Sequence, residues 1–136
     1  MRLTLLIFVL SLLGAVAEAA PIDTTIKECW EGNDHRGLNR CVTKRAAIAR
    51  TNLQAMEDSV RKAIAKSNED ASYLKPVQQR FEASVESYRK YRKDQCQLRE
   101  ALAAMGNGAG EIKLACEAEL DTNRAEELKA GIWWLK

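Results

Sequence analysis

Four cysteines, one histidine and a run of glycines carry the most specific chemistry in this 136-residue chain. Cys29, Cys41, Cys96 and Cys116 admit three disulfide pairings. Spacing favours Cys29–Cys41 with Cys96–Cys116, because each pair closes a short local loop that holds a glycine-marked reversal. A zinc site is the competing use of the same thiols. It finds no C-x-x-C pair and only one imidazole, His35, so no metal is expected.

Catalysis finds little to work with. His35 stands between Asp34 and Arg36 in a break before a helix, and no G-x-S-x-G elbow occurs. The carboxylate pairs Glu57-Asp58, Glu117/Glu119 and Glu126-Glu127 lie among Lys and Arg at the spacing of a solvated helix face. The run Gly106-Asn107-Gly108-Ala109-Gly110 lacks the Lys-Ser/Thr of a phosphate loop. The chain therefore reads as a non-enzyme without a cofactor. The glycine run serves first as a helix stop and reversal. Its second use is as a small close-approach loop, which makes Gly106, Asn107, Gly108, Gly110 and Glu111 candidate partner contacts. Trp133 and Trp134 are candidates too: adjacent helical residues point about 100° apart, so only one packs easily inward. A basic cluster, Arg80, Arg89, Lys90, Arg92 and Lys93, interleaves with Tyr88 and Tyr91 in the manner of a nucleic-acid surface. Glu82, Glu86 and Asp94 in the same stretch argue against that reading. Arg92 is expected to pair with an acid while packing its stem along a helix interface.

The N-terminus sets the compartment. Met1-Arg2 precedes an apolar run from Leu3 to Leu13 and an A-x-A site at Ala17-Glu18-Ala19. This is the anatomy of a cleavable secretory signal, and the apolar run is shorter than the ~20 residues of a membrane span. Residues 1–19 are expected to be removed, leaving one domain over 20–136. No cysteine follows the junction, so no lipid anchor is expected. The formal charge of +2 is unchanged by cleavage, which removes one base, Arg2, and one acid, Glu18. Such a balance gives no mandate for nucleic acid or an anionic membrane. The mature protein is expected to be soluble in the periplasm or secreted, where disulfides persist.

Helix is the only visible period. A short segment, 23–31, has Asp23 or Thr24 as its expected cap and puts Trp30 over the first disulfide. The second, 35–67, carries Leu38, Val42, Ala46, Ala49, Leu53, Met56, Val60 and Ile64 as one stripe. The third, 76–105, begins at Pro76 and places Val77, Phe81, Val85, Tyr88, Tyr91, Gln95 or Cys96, Leu98, Leu102 and Met105 on a similar face. The fourth, 111–129, carries Ile112, Cys116, Leu120 and Leu128. Two helices of such length joined by a short turn must pair. The expected architecture is all-α, a small disulfide-stapled helical bundle built on a long antiparallel helical hairpin. Both staples clamp one end and leave the Ser67–Lys75 tip more weakly held.

The run Tyr88-x-x-Tyr91-Arg92-x-x-x-Cys96, followed by Cys116-x-x-x-Leu120-x-x-x-Arg124-x-x-x-Leu128, resembles the closing signature of the lysozyme inhibitor LprI family. Tyr88 stands where that family usually has Trp, and Lys93 where it has Asp. The resemblance implies an exported helical protein that binds a protein partner, with lysozyme as the candidate. Tyr88, Tyr91, Arg92, Leu120, Arg124 and Leu128 are implied to be structural. An acidic patch of Glu111, Glu117, Glu119 and Asp121 would suit a cationic enzyme. The competing reading is an immunity-type or chaperone-like module for another exported protein, binding through Trp133 and Trp134 or the hairpin tip.

Overall fold

The computed structural model describes residues 23–103 and 106–132. The signal segment 1–19, Met105, Trp133 and Trp134 lie outside them. Four helices follow in order: α1 (Asp23–Trp30), α2 (His35–Lys66), α3 (Ala71–Leu102) and α4 (Ala109–Gly131). Among the described residues there is no strand, and no helix is long and apolar enough to cross a membrane. The all-α, disulfide-stapled bundle is as the periodicity demanded.

Local chemistry fixes the ends. Asp34 caps α2, its carboxylate accepting from the Gly37 N–H at 2.7 Å, a bond worth about 1 kcal/mol. Asn33 reaches back from the break to donate to the Cys29 carbonyl at 3.0 Å. Its side chain fills the space a Cβ on Gly37 would need, so that position admits glycine only. Gly32 makes the reversal at φ +73, a conformation open to residues without a Cβ.

Several boundaries move from their expected places. α1 already contains Asp23 and Thr24, so neither caps it. α3 starts at Ala71 because Asp70 accepts from the Ser72 N–H at 2.7 Å, which carries Tyr73 and Leu74 into the helix and leaves Pro76 inside it. The missing Pro76 N–H costs one bond to the Ser72 carbonyl, a loss tolerable near an exposed helix start. α4 begins at Ala109, so Gly110 and Glu111 form its first turn, and α3 ends at Leu102 rather than at 105, which shifts the connection to 103–108.

Cross-helix pairs give the directions. Arg61–Glu82 and Arg89–Glu57 run α2 and α3 antiparallel. Asn39–Glu111 and Arg50–Glu117 run α4 parallel to α2, while Arg92–Glu117 and Arg124–Ser84 run it antiparallel to α3. α4 is the main joiner: it packs along α2 and against α3, whereas the two long helices touch each other only sparingly. The hairpin is thus closed through a third helix. α4 can do this because its buried face is small, with Ala115, Ala118 and Ala125, and Ala118 sits against Ala46 and Ala49 of α2.

The expected α2 stripe is buried at every position except half-buried Met56, and Glu57 is buried beside it. The α3 stripe fares worse. Phe81, Val85 and Cys96 are buried, but Val77, Tyr91, Leu98 and Leu102 are exposed. With α4 occupying one side of the hairpin, α3 meets the bundle along a narrow line and its remaining apolar residues lie outside it. Trp30, the residue expected over the first disulfide, is exposed and sets its ring edge-on against His35, centroids 4.9 Å apart.

Candidate functional site

Both disulfides form as spacing favoured. Cys29–Cys41 ties α1 to α2 and Cys96–Cys116 ties α3 to α4, at Cα separations of 5.5 and 5.6 Å. Cys29, Cys96 and Cys116 are fully buried, and Leu38 and Val42 pack with Cys29, Ile26 and Leu114. The connection 103–108 runs between the two helices that the second staple joins. Gly106 and Asn107 are exposed, and Gly108 turns the chain at φ +138 into α4. Glu111 accepts from Asn39 at 3.0 Å and Lys113 pairs with Glu100 at 3.2 Å, so α4 is pinned to both long helices just past the turn. The result is a small turn on a fixed base.

The middle of the bundle is ionic. Asp121 of α4 is 1% exposed, and the Arg92 guanidinium stands 2.7 Å from its carboxylate. Tyr88 donates to the same carboxylate at 3.0 Å. Arg92 also donates to Glu117, which Arg50 reaches from α2. Glu57, 3% exposed, accepts from Arg89, and Arg124 donates to Ser84 while lying over the Tyr88 ring. Burial, and then the adjacent Asp121 charge, push the Tyr88 phenol far above its ordinary value, so it stays a donor. A cleft of about 460 Å³ opens over this network between α2, α3 and α4. Its three carboxylates, Glu57, Glu117 and Asp121, are each engaged by an arginine. Acids so held are fitted to join helices rather than to shuttle protons.

A second cleft, about 570 Å³, lies between α1, α2 and α4, its lining mixing hydroxyls and amides such as Thr24, Asn52 and Asn123 with the Glu28–Arg45 pair and apolar side chains such as Ile48. Among the described residues no cluster of three His, Cys, Asp or Glu is placed to hold a metal ion.

The residues implied to be structural come together around α4. Tyr88, Arg92 and Arg124 form the network above, and Leu128 packs against the apolar cluster of Val60, Ile64, Phe81 and Val85. Leu120 is half-buried, while Tyr91 points outward and takes no part. The expected acidic patch does not exist as a free field: Asp121 is inside, and Glu117 is neutralised by two arginines. Glu57 and Asp121 are the buried polar residues that pattern reading missed. The signal was present: Leu53, Glu57, Val60 and Ile64 continue the α2 stripe at steps of 4, 3 and 4. On α4 the buried line runs Ala115, Ala118, Asp121, Ala125, a face too small-sided to register as apolar.

One departure from the family signature finds its partner here: Tyr88, standing where the family usually has Trp, brings a hydroxyl that needs an acceptor, and Asp121 supplies it. No curated protein and no solved structure matches the chain. A family model described as lysozyme inhibitor LprI matches residues 29–128, from the first cysteine through Leu128. The span takes in both staples and the whole ionic middle, and this chain belongs to the lysozyme inhibitor LprI family.

Proposed function

We propose that the chain is an exported inhibitor that binds a lysozyme and occludes it, with the turn from Gly106 to Glu111 as its contact. The supporting observation is that turn: exposed at Gly106 and Asn107, and mounted on helices joined by Cys96–Cys116. A turn whose flanking helices are covalently tied loses less entropy on binding than one between free ends, which is how a small inhibitor gains affinity. Export follows the secretory signal at residues 1–19 and supplies the oxidising compartment that both disulfides need. Net charge contributes little. A chain of +2 gains no long-range steering toward a cationic enzyme, so shape and close approach must carry the affinity.

The test is a muramidase assay with the oxidised protein over residues 20–136, run against several lysozyme types. Saturable inhibition supports the proposal. Undiminished cell-wall hydrolysis at saturating protein against every type removes it.

A further inference from the structure

α2 and α3 are both 32 residues long, yet α2 contributes nine buried residues and α3 three. Five of the seven large exposed apolar side chains of the described residues lie on α3: Tyr73, Val77, Tyr91, Leu98 and Leu102. They share one flank with Arg80, Ser87 and Asp94: Tyr73, Arg80, Ser87 and Asp94 recur every seven residues, Val77, Tyr91 and Leu98 keep the same repeat with Ser84 between them turned to Arg124 of α4, and Leu102 lies one turn beyond Leu98. At about 100° per residue, this flank lies roughly opposite Glu82 and Arg89, which reach α2. Leu102 is 76% and Tyr73 70% exposed. A heptad-spaced stripe of this kind is what one helix presents to another.

We propose that this flank of α3 is a homodimer seam, filled by the same flank of a second copy running antiparallel about a two-fold axis at Ser87. The pattern is self-complementary in that register and in no parallel one. The apolar start, Tyr73 and Val77, comes level with the apolar end, Leu102 and Leu98, of the second copy. Tyr91 meets the small Ala83, and Ser87 meets itself, so the middle of the seam permits close approach. Charge agrees. Arg80 pairs with no carboxylate among the described residues, and the register sets it against Asp94 of the second copy, whose own partner is only the exposed Lys90. A parallel pairing would stack Arg80 on Arg80 and Asp94 on Asp94. The axis also sends the two 103–108 turns to opposite ends of the assembly, leaving each accessible.

Sedimentation of the oxidised protein over 20–136 is expected to show a concentration-dependent species of twice the chain mass. Arg80→Glu should weaken association at least about tenfold by setting two acids together, and adding Asp94→Lys should restore it. Both sites are exposed, so folding is not at issue. Ser87→Cys should give a reducible covalent dimer on oxidation. Asp94→Cys should not, its copy lying about 21 Å away along the seam. A monomer at every concentration, no rescue by the double change, or equal cross-linking at both positions would overturn the proposal. So would a monomer in which Leu98→Lys with Leu102→Lys abolishes lysozyme inhibition, since the flank would then belong to the enzyme.

Discussion

The two ends of this bundle are held together by different means. At one end, where the glycine turn lies, the core is thin: Leu38 and Val42 with two disulfides, and alanines along the α2–α4 contact. At the other, around the 67–70 link, Val60, Ile64, Phe81 and Val85 form an apolar cluster joined by Leu74, Leu128 and Ile132, and no disulfide is present among the described residues. Covalent bonds stand where apolar volume is lacking. The tip, expected to be weakly held because it lies far from the staples, has the larger core instead. The difference separates two tasks. A staple fixes a turn without enlarging it, which suits a contact surface, whereas an apolar cluster anchors three helices and asks for no access.

The sharpest way to break this division is to remove what links its halves. Asp121→Ala leaves Arg92 without its buried partner and Tyr88 without its acceptor, a loss of about 3–5 kcal/mol. Urea unfolding would show it, and both ends should loosen together. Phe81→Ala empties the centre of the tip cluster for about 3 kcal/mol. Its effect on amide exchange should concentrate between residues 60 and 85 and spare the cysteines' surroundings. Replacing Cys96 and Cys116 together by Ala costs up to about 3 kcal/mol through the freed unfolded chain. Here the expected loss of protection falls on 96–116, with the tip unmoved. If either variant loosened both ends equally, the two regions would not be separable.

Acid offers a gentler probe. Hydrogen bonds from Ser72 hold the Asp70 carboxyl below its ordinary value, and the Arg61 guanidinium does the same for Glu82. Each binds its proton more weakly in the folded chain. Their contribution is therefore present above the ordinary carboxylate range and lost as pH falls below it, through the lowered folded-state values. Both sit at the tip half, so protection factors near 67–85, corrected for the intrinsic exchange rate, should fall on acidification before the stapled end responds. The effect should be small, since both groups are open to solvent and screening.

Periodicity made the helices and the staples legible. Asp34, Gly32 and the four cysteines each announce a local event, and local events are what a sequence states most directly. The role of α4 was hidden for a physical reason. A helix that buries Ala115, Ala118 and Ala125 gains its packing from closeness rather than bulk, so its apolar stripe is faint. Pro76 misled for a local reason: its preference for a helix start yielded to the Asp70 cap six residues upstream, which begins the helix at Ala71. The aromatic stripe of α3 was visible, but periodicity cannot say whether a stripe meets its own chain. Of the candidate contact residues, Gly106, Asn107 and Gly110 stand exposed; Arg92 was legible as an acid-pairing residue in its basic cluster, whereas Arg124 was singled out by the family signature alone.

The central claim is that the stapled end meets the partner while the tip anchors the fold. Parallel inhibition titrations of one susceptible lysozyme test it most directly, using the unaltered protein, Asn107→Trp in the turn and Asn68→Trp in the tip link. Both substituted sites are exposed. The unaltered and Asn68→Trp proteins should inhibit alike, and Asn107→Trp should be weaker by about tenfold or more. Equal inhibition by all three, or loss confined to Asn68→Trp, would contradict the account.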